Sequence, residues 1–310
     1  MPQTFTQLNP ANQQFYDRTL LSRLLPKLTF LKHGQKRPIP KNEGDTVNFR
    51  RYGGLDPALT PLVEGVTPPP DNLTMQEITA TVEGYGNYIY LTDKIKMAGI
   101  DPVATEATEI LGEQAGETLD IVVRDIVANG TNVYRVNGRA AITDVAGGDV
   151  LDGVTLRRVR QIMVRNNVKP PAGRDYIAFV HPDTIYDLMG DSNWVNAQHY
   201  SGATKIFNGE IGRMYGIRFI ETTLAPVWEN AGAGAAVDVY GTIVIGKDAY
   251  GVPDIAGSSK PKTYVKSLGS AGTGDPIDQR SSIGWKAYLT AVRLQELAIL
   301  RLEHAASAPA

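Results

Sequence analysis

Residues 53–72 read GGLDPALTPLVEGVTPPPDN, twenty residues that hold five prolines, three of them consecutive. On either side, DTVNFRRY (45–52) and LTMQEITATVEGYGNYIYLT (73–92) set apolar or β-branched residues alternately with polar ones. That two-residue period belongs to strands with one solvated face. Hairpins ordinarily turn in a few residues, and a long unstructured loop inside a compact domain marks a functional element. The pattern predicts a long antiparallel hairpin with a large, stiffened tip. Such a hairpin has too little core to stand alone and has to rest on a neighbour.

Ahead of it, residues 1–43 read as an arm. Asn9 and Pro10 suit a helix start, and Phe15, Leu20, Leu21, Leu24 and Leu25 form a short apolar stripe that Pro26 ends. The polar, basic run KHGQKRPIPKNEGD follows and cannot bury itself. Behind the hairpin comes the clearest helix, 101–129. Asp101 caps it, Pro102 fits its first turn, and Gly130 suits a left-handed C-terminal position. Val103, Ala107, Ile110, Leu111, Leu119, Val122, Ile126 and Val127 make its apolar face, while Glu106, Glu109, Glu113, Glu117 and Asp120 read as its solvated acidic face. A second helix over 154–166 is basic, with Arg157, Arg158, Arg160 and Arg165, and invites pairing with the acidic one. From Asp175 short strands and helices alternate (DYIAFV, HPDTIYDLMGD, GIRFIET, DVYGTIVIG), as in an α/β unit of about 80 residues. The last stretch, TYVKSL and IGWKAYLTAVRLQELAILRLEHA, has long patterns that periodicity alone does not type.

Chemistry is sparse. With no cysteine, disulfides, thiolate metal sites and cysteine nucleophiles are excluded. His33, His181, His199 and His304 lack zinc-site spacing, and His181, at a strand-to-helix turn, reads as a cap or packing residue. There is no GxSxG elbow and no phosphate-binding loop with its lysine; the glycine-rich SLGSAGTGD has no such helix behind it. A net charge of −2 argues against a surface built to grip nucleic acid. Tyr85, Tyr88, Tyr90, Trp285 and Tyr288 lack the basic interleaving of a nucleic-acid platform, so core packing or a subunit interface accounts for them. No run of about eighteen apolar residues occurs, so no membrane span is expected, and the N-terminus lacks a secretory pattern. No cofactor or metal is expected, and an enzyme with an unrecognised site is disfavoured.

The order of parts resembles the major capsid proteins of tailed bacteriophages with the Hong Kong 97-type fold. It is similar in particular to the N-four-like branch, through GQKRPIPKNEGDTVNFRRY (34–52), LVEGVTPP (62–69), YGNYIYLTD (85–93), YIAFVHPDTIYDL (176–188), MYGIRFIET (214–222), GKDAYG (246–251) and DQRSSIGWKAYLTAVRL (278–294). The resemblance implies an α+β chain in four parts. These are an N-terminal arm (1–43), an extended loop (44–95), a peripheral domain (96–169 and 252–310, with spine helix 101–129) and an axial domain (170–251). It implies a shell of pentamers and hexamers, assembled in the host bacterial cytoplasm and enclosing double-stranded DNA without sequence-specific contacts. Scaffolding, portal and decoration proteins are the further partners it suggests. The intersubunit contact candidates are Phe15, Leu20 and Leu24 of the arm, Lys36, Arg37, Arg50 and Arg51, then Val63, Glu64, Pro68, Pro69 and Pro70 of the tip, and Arg157 and Arg158. The founding member of this fold locks its shell by an isopeptide bond from a lysine in the extended loop. Here no lysine lies between Lys41 and Lys94, so a non-covalent shell is expected. The runner-up within the fold is an encapsulin-type nanocompartment.

Overall fold

The computed structural model describes residues 20–21, 28–39, 44–62, 64–98, 103–171, 173, 175–191, 212–255, 260–270 and 275–307. In chain order the first elements are α1 (Phe30–His33), β1 (Gln35–Ile39), β2 (Thr46–Tyr52), β3 (Met75–Thr81), β4 (Glu83–Thr92), α2 (Asp93–Ala98) and α3 (Val103–Ala128). Next come β5 (Val133–Arg135), α4 (Gly153–Arg165), β6 (Tyr176–Val180), α5 (Pro182–Gly190), β7 (Arg213–Met214), β8 (Ile217–Glu221) and β9 (Val227–Trp228). The chain closes with β10 (Val239–Ile245), β11 (Tyr250–Ile255), β12 (Lys262–Lys266), β13 (Arg280–Leu289), β14 (Val292–Arg293) and β15 (Ile299–His304).

The largest sheet runs β5-β15-β10-β6-β8-β7, with β9 added beside β10. β6 and β10 are buried at every position, which is why YIAFV and VYGTIVI are nearly continuous apolar runs without alternation. The expected strands and helix of the α/β stretch all form. Its sheet, however, is completed from far along the chain: β15 pairs antiparallel with β10, and β5 pairs parallel with β15. The untyped C-terminal stretch therefore resolves into β13, β14 and β15, whose partners are too distant in sequence for periodicity to reveal. His181 caps α5, its Nδ1 accepting from the Asp183 N–H at 3.3 Å. His304 is wholly buried beside the Thr242 hydroxyl, 2.9 Å from its Nε2, and burial pushes its pKa down to about 4, so it sits neutral.

The long helix α3 buries Leu111, Ala115, Leu119, Val123 and Val127, one residue per turn along a single stripe. Two expectations for it fail. Ile110, assigned to the apolar face, is 61% exposed, because the stripe faces the sheet through the turn positions on either side of it. Asp120, assigned to the solvated acidic face, is wholly buried. Its Oδ1 accepts the N–H groups of Thr29 and Leu31, each at 3.0 Å, and so caps the start of α1. Burial outweighs those bonds and lifts the Asp120 pKa to about 6. The helix also ends without a left-handed glycine. Gly130 is instead confined by Glu296, whose Oε1 would lie 2.9 Å from an added Cβ and which accepts from the Thr131 N–H. The Asp101 cap lies outside the described residues.

Leu28, Phe30 and Leu31 lie against this same core. Phe30 packs on Phe179 with ring centroids 4.3 Å apart, and the Tyr250 hydroxyl donates to the Phe30 carbonyl at 2.5 Å. β1 then pairs parallel with β11 in a three-stranded sheet ordered β1-β11-β14. Leu20 is wholly buried within its own chain, and its carbonyl oxygen would lie only 2.6 Å from a Cβ at Gly112, so only glycine lets the two backbones meet there. As a contact to a neighbouring copy, Leu20 is corrected: the chain's own helix α3 covers it. Phe15, Leu24 and Val63 lie outside the described residues.

Candidate assembly surface

The hairpin is built by β2 and β3, which pair antiparallel from Thr46↔Thr81 to Tyr52↔Met75. The second strand is shorter than the alternation suggested. At Val82 the backbone N–H donates to Asp45 at 2.9 Å, and β4 then leaves the hairpin to pair with β13 over its whole length. One face of the hairpin carries Val47, Phe49, Ala80 and Val82 into a small separate core with Ile39. Beside the hairpin Lys36, Arg37, Arg50 and Arg51 line a groove whose acidic member is Asp248. Arg37 bridges the two sheets, its guanidinium 5.6 Å from the Phe49 ring centroid and donating to the Asn48 carbonyl at 2.9 Å. Arg50 stands opposite Glu77 in the register.

Beyond the Gly53 N–H bond to the Thr74 carbonyl, ladder pairing stops. Every described residue from 53 to 74 is exposed, including Glu64, Pro68, Pro69 and Pro70. Leu55, Leu59, Leu62, Val66 and Leu73 are between 58% and 85% exposed. Several large apolar side chains exposed on one loop are the mark of a contact surface. The contacts of α4 lead elsewhere. Arg157 stands over the Tyr215 ring at 5.7 Å, and Arg158 donates to Gln161 at 2.7 Å.

A second surface gathers Tyr88, Tyr90 and Tyr288, which the sequence assigns to core packing or a subunit interface. β12, β13 and β4 form a three-stranded antiparallel sheet. Its inner face, with Leu91, Ile283, Trp285, Ala287 and Leu289, belongs to the same core as α3. Its outer face carries Tyr88, Tyr90, Tyr264 and Tyr288 together with Lys262, Lys266, Arg280 and Lys286, all exposed. The register intermixes them: Lys262 lies opposite Lys286, Tyr264 opposite Gly284, and Gly284 opposite Tyr88. Basic residues and rings alternate along β12 and β13 and again across the strands. Part of it is local, since Lys262, Tyr264 and Lys266 alternate along β12 and Lys286 and Tyr288 along β13, whereas Tyr88 and Tyr90 join them through pairs nearly two hundred residues apart.

Among the described residues no cluster of acidic or histidine side chains could hold a metal ion, and no helix is long and apolar enough to cross a membrane. A family model for "Phage capsid protein" matches residues 76–302. No curated protein matches the chain in sequence. Among solved structures, the capsid of Ralstonia phage GP4 superposes with a TM-score of 0.70 at 12% identity, covering 92% of this chain and 93% of that one. The capsid of cyanophage Pam1 gives 0.69 at 15% identity, covering 93% of each chain. A virus-like particle from Pyrococcus furiosus gives 0.54 at 12% identity, covering 93% of this chain and 98% of that one.

Proposed function

The chain belongs to the phage capsid protein family, and we propose that its copies close into pentamers and hexamers of an icosahedral head around double-stranded DNA. It is a structural protein of the virion shell, not an enzyme, and it assembles with copies of itself. Its α+β fold is that of the tailed-phage capsids, and the nanocompartment alternative gives way to the family match.

The observation that carries the assembly reading is the tip at 53–74, whose exposed leucines and valine find no cover within one chain. In this reading residues 44–95 are the extended loop overlapping an adjacent copy, and residues 1–43 are the arm. The peripheral domain is 96–169 with 252–310. The axial domain is 170–251, with β5 and β15 lending it strands. Lys36, Arg37, Arg50, Arg51, Glu64, Pro68, Pro69, Pro70, Arg157 and Arg158 are its exposed contact residues, and Phe15, Leu24 and Val63 remain contact candidates. A separate scaffolding protein, a portal and a decoration protein would complete the head, assembled in the host bacterial cytoplasm.

Electron microscopy of purified material tests the reading: closed icosahedral particles are expected, and a population of monomers under all assembly conditions would defeat it. The absence of lysine from 42 to 93 predicts that the particles dissolve to a single monomer band in denaturing electrophoresis. A ladder of covalent multimers would sink the non-covalent shell while leaving the capsid assignment intact.

A further inference from the structure

Four cations meet in the groove beside the hairpin, against one acid. We propose that this groove is a phosphate-binding site that takes two or more linked phosphate groups, as a free polyphosphate or a nucleic-acid backbone presents them. The site goes beyond the shell reading and does not depend on it, since one chain holds every residue it uses.

The groove has a volume of about 450 Å³, within the roughly 300–1,000 Å³ of small-ligand sites. That is many times the share of a single water, about 30 Å³, so there is room for more than one simple ion. Its walls come from two sheets: β1 brings Lys36 and Arg37, and β2 brings Arg50 and Arg51, all four exposed. Among the described residues that line it, Asp248 is the one acid, and Gln35 and Gln295 add amide donors.

The floor is fixed. Phe49, Ile78 and Leu294 line it, and each belongs to the small core of the hairpin or packs against it. The Phe49 ring lies over Gly251, where a Cβ would come within 2.6 Å of it, so the bare backbone of β11 makes room for the ring. Arg37 is aimed from this base. Its guanidinium stands 5.6 Å from the ring centroid, and its bond to the Asn48 carbonyl sets the direction of the fork. A guanidinium already oriented loses less freedom when it grips an anion.

Charge and chemistry select phosphate. Cations gathered in one cavity repel one another unless an anion is shared among them. Three of the four are arginines, whose planar forks match phosphate oxygens two at a time. A lone carboxylate brings one charge and two oxygens to four cations, whereas linked phosphates bring several of each. The net charge of −2 over the whole chain makes this a local site and not a surface built to grip nucleic acid throughout.

Calorimetric titration of unassembled subunits with sodium tripolyphosphate, at constant ionic strength, tests the site; saturable binding at one site per chain is expected. Lys36→Gln with Arg50→Gln should weaken it about tenfold or more. Lys262→Gln with Lys266→Gln, the same charge change on β12, should leave it as it was. Asp248→Asn should tighten it about threefold by removing the one acid. Asparagine accepts the left-handed backbone that Asp248 adopts (φ 55°), and a misfolded chain would not gain affinity. A short DNA duplex that displaces tripolyphosphate would support the site as one for a nucleic-acid backbone, and one that does not would support it as a site for free polyphosphate. No saturable heat, equal weakening by the β12 pair, or an Asp248→Asn chain that binds no tighter would overturn the proposal. Particles that close normally from subunits whose groove binds nothing would defeat this site and leave the shell reading standing.

Discussion

β10 and the tip at 53–74 are the two extremes of this molecule. β10 is buried at all seven positions and pairs on both sides, with β6 and β15. The tip is exposed at every described position and, past Gly53 and Thr74, makes no backbone pairing among the described residues. Both are rich in apolar side chains, so hydrophobicity does not separate them; what differs is whether one copy supplies the cover. The core is answered within a subunit, and the tip is answered only in the assembly. Substitutions should therefore divide into those that damage the subunit and those that damage the shell.

The largest subunit effect is expected in the core. Phe179 has no exposed surface and packs against Phe30 with the rings tilted by 40°, so Phe179→Ala removes a ring that two distant segments share. A loss of about 3–5 kcal/mol is expected in urea unfolding of unassembled subunits. A loss below about 1 kcal/mol would mean that residues 28–33 are not held against the core in solution and that the contrast drawn above is too sharp.

A smaller and pH-dependent effect belongs to Asp120. Its folded-state pKa, about 6, lies above its ordinary 3.8. The fold thus favours the protonated acid: this contribution to stability is full below about pH 3.8 and is lost as pH rises through about 6. Relative to Asp120→Asn, which keeps an acceptor for the Thr29 and Leu31 N–H groups but cannot titrate, the natural chain should lose about 3 kcal/mol between pH 3.5 and 7.5. Lys32 is the cation whose attraction for the carboxylate opposes this shift. Parallel pH profiles for the two proteins would show that Asp120 does not titrate within this window.

What the sequence made legible follows the range of the interactions. The hairpin, α3, α4, α5 and the strands β6, β8 and β10 announce themselves because caps, periods and apolar runs are local. Asp120 was misread because the i, i+3 and i, i+4 spacing of the acids looks the same whether or not α1 arrives to be capped. β4 was misread as the end of the hairpin because alternation reports a face and not a partner. The mixed tyrosine and lysine face is legible only in part: Lys262, Tyr264 and Lys266 alternate along β12, but Tyr88 and Tyr90 join them only once β4 flanks β13 in register. The tip, by contrast, was conspicuous in sequence, since prolines and exposed leucines conflict with any ordinary turn.

The smallest subunit effect, and the sharpest division between the two regions, is expected from replacing Pro68, Pro69 and Pro70 together by glycine. None of the three is buried, so no packing is lost in the isolated subunit. Glycine widens the conformations open to the tip, and in the subunit that freedom costs nothing because the tip is not ordered against anything. On docking, the same freedom has to be surrendered, at roughly 0.4–1 kcal/mol per position. Three positions in every copy are multiplied across a closed shell, so a change within about 0.5 kcal/mol in subunit unfolding should accompany a clear fall in the particles' denaturation midpoint. Equal losses in both measurements would place the tip in the subunit's own core. Particles unaffected by the change would mean that the prolines serve a different end, blunting an exposed edge against unwanted strand addition.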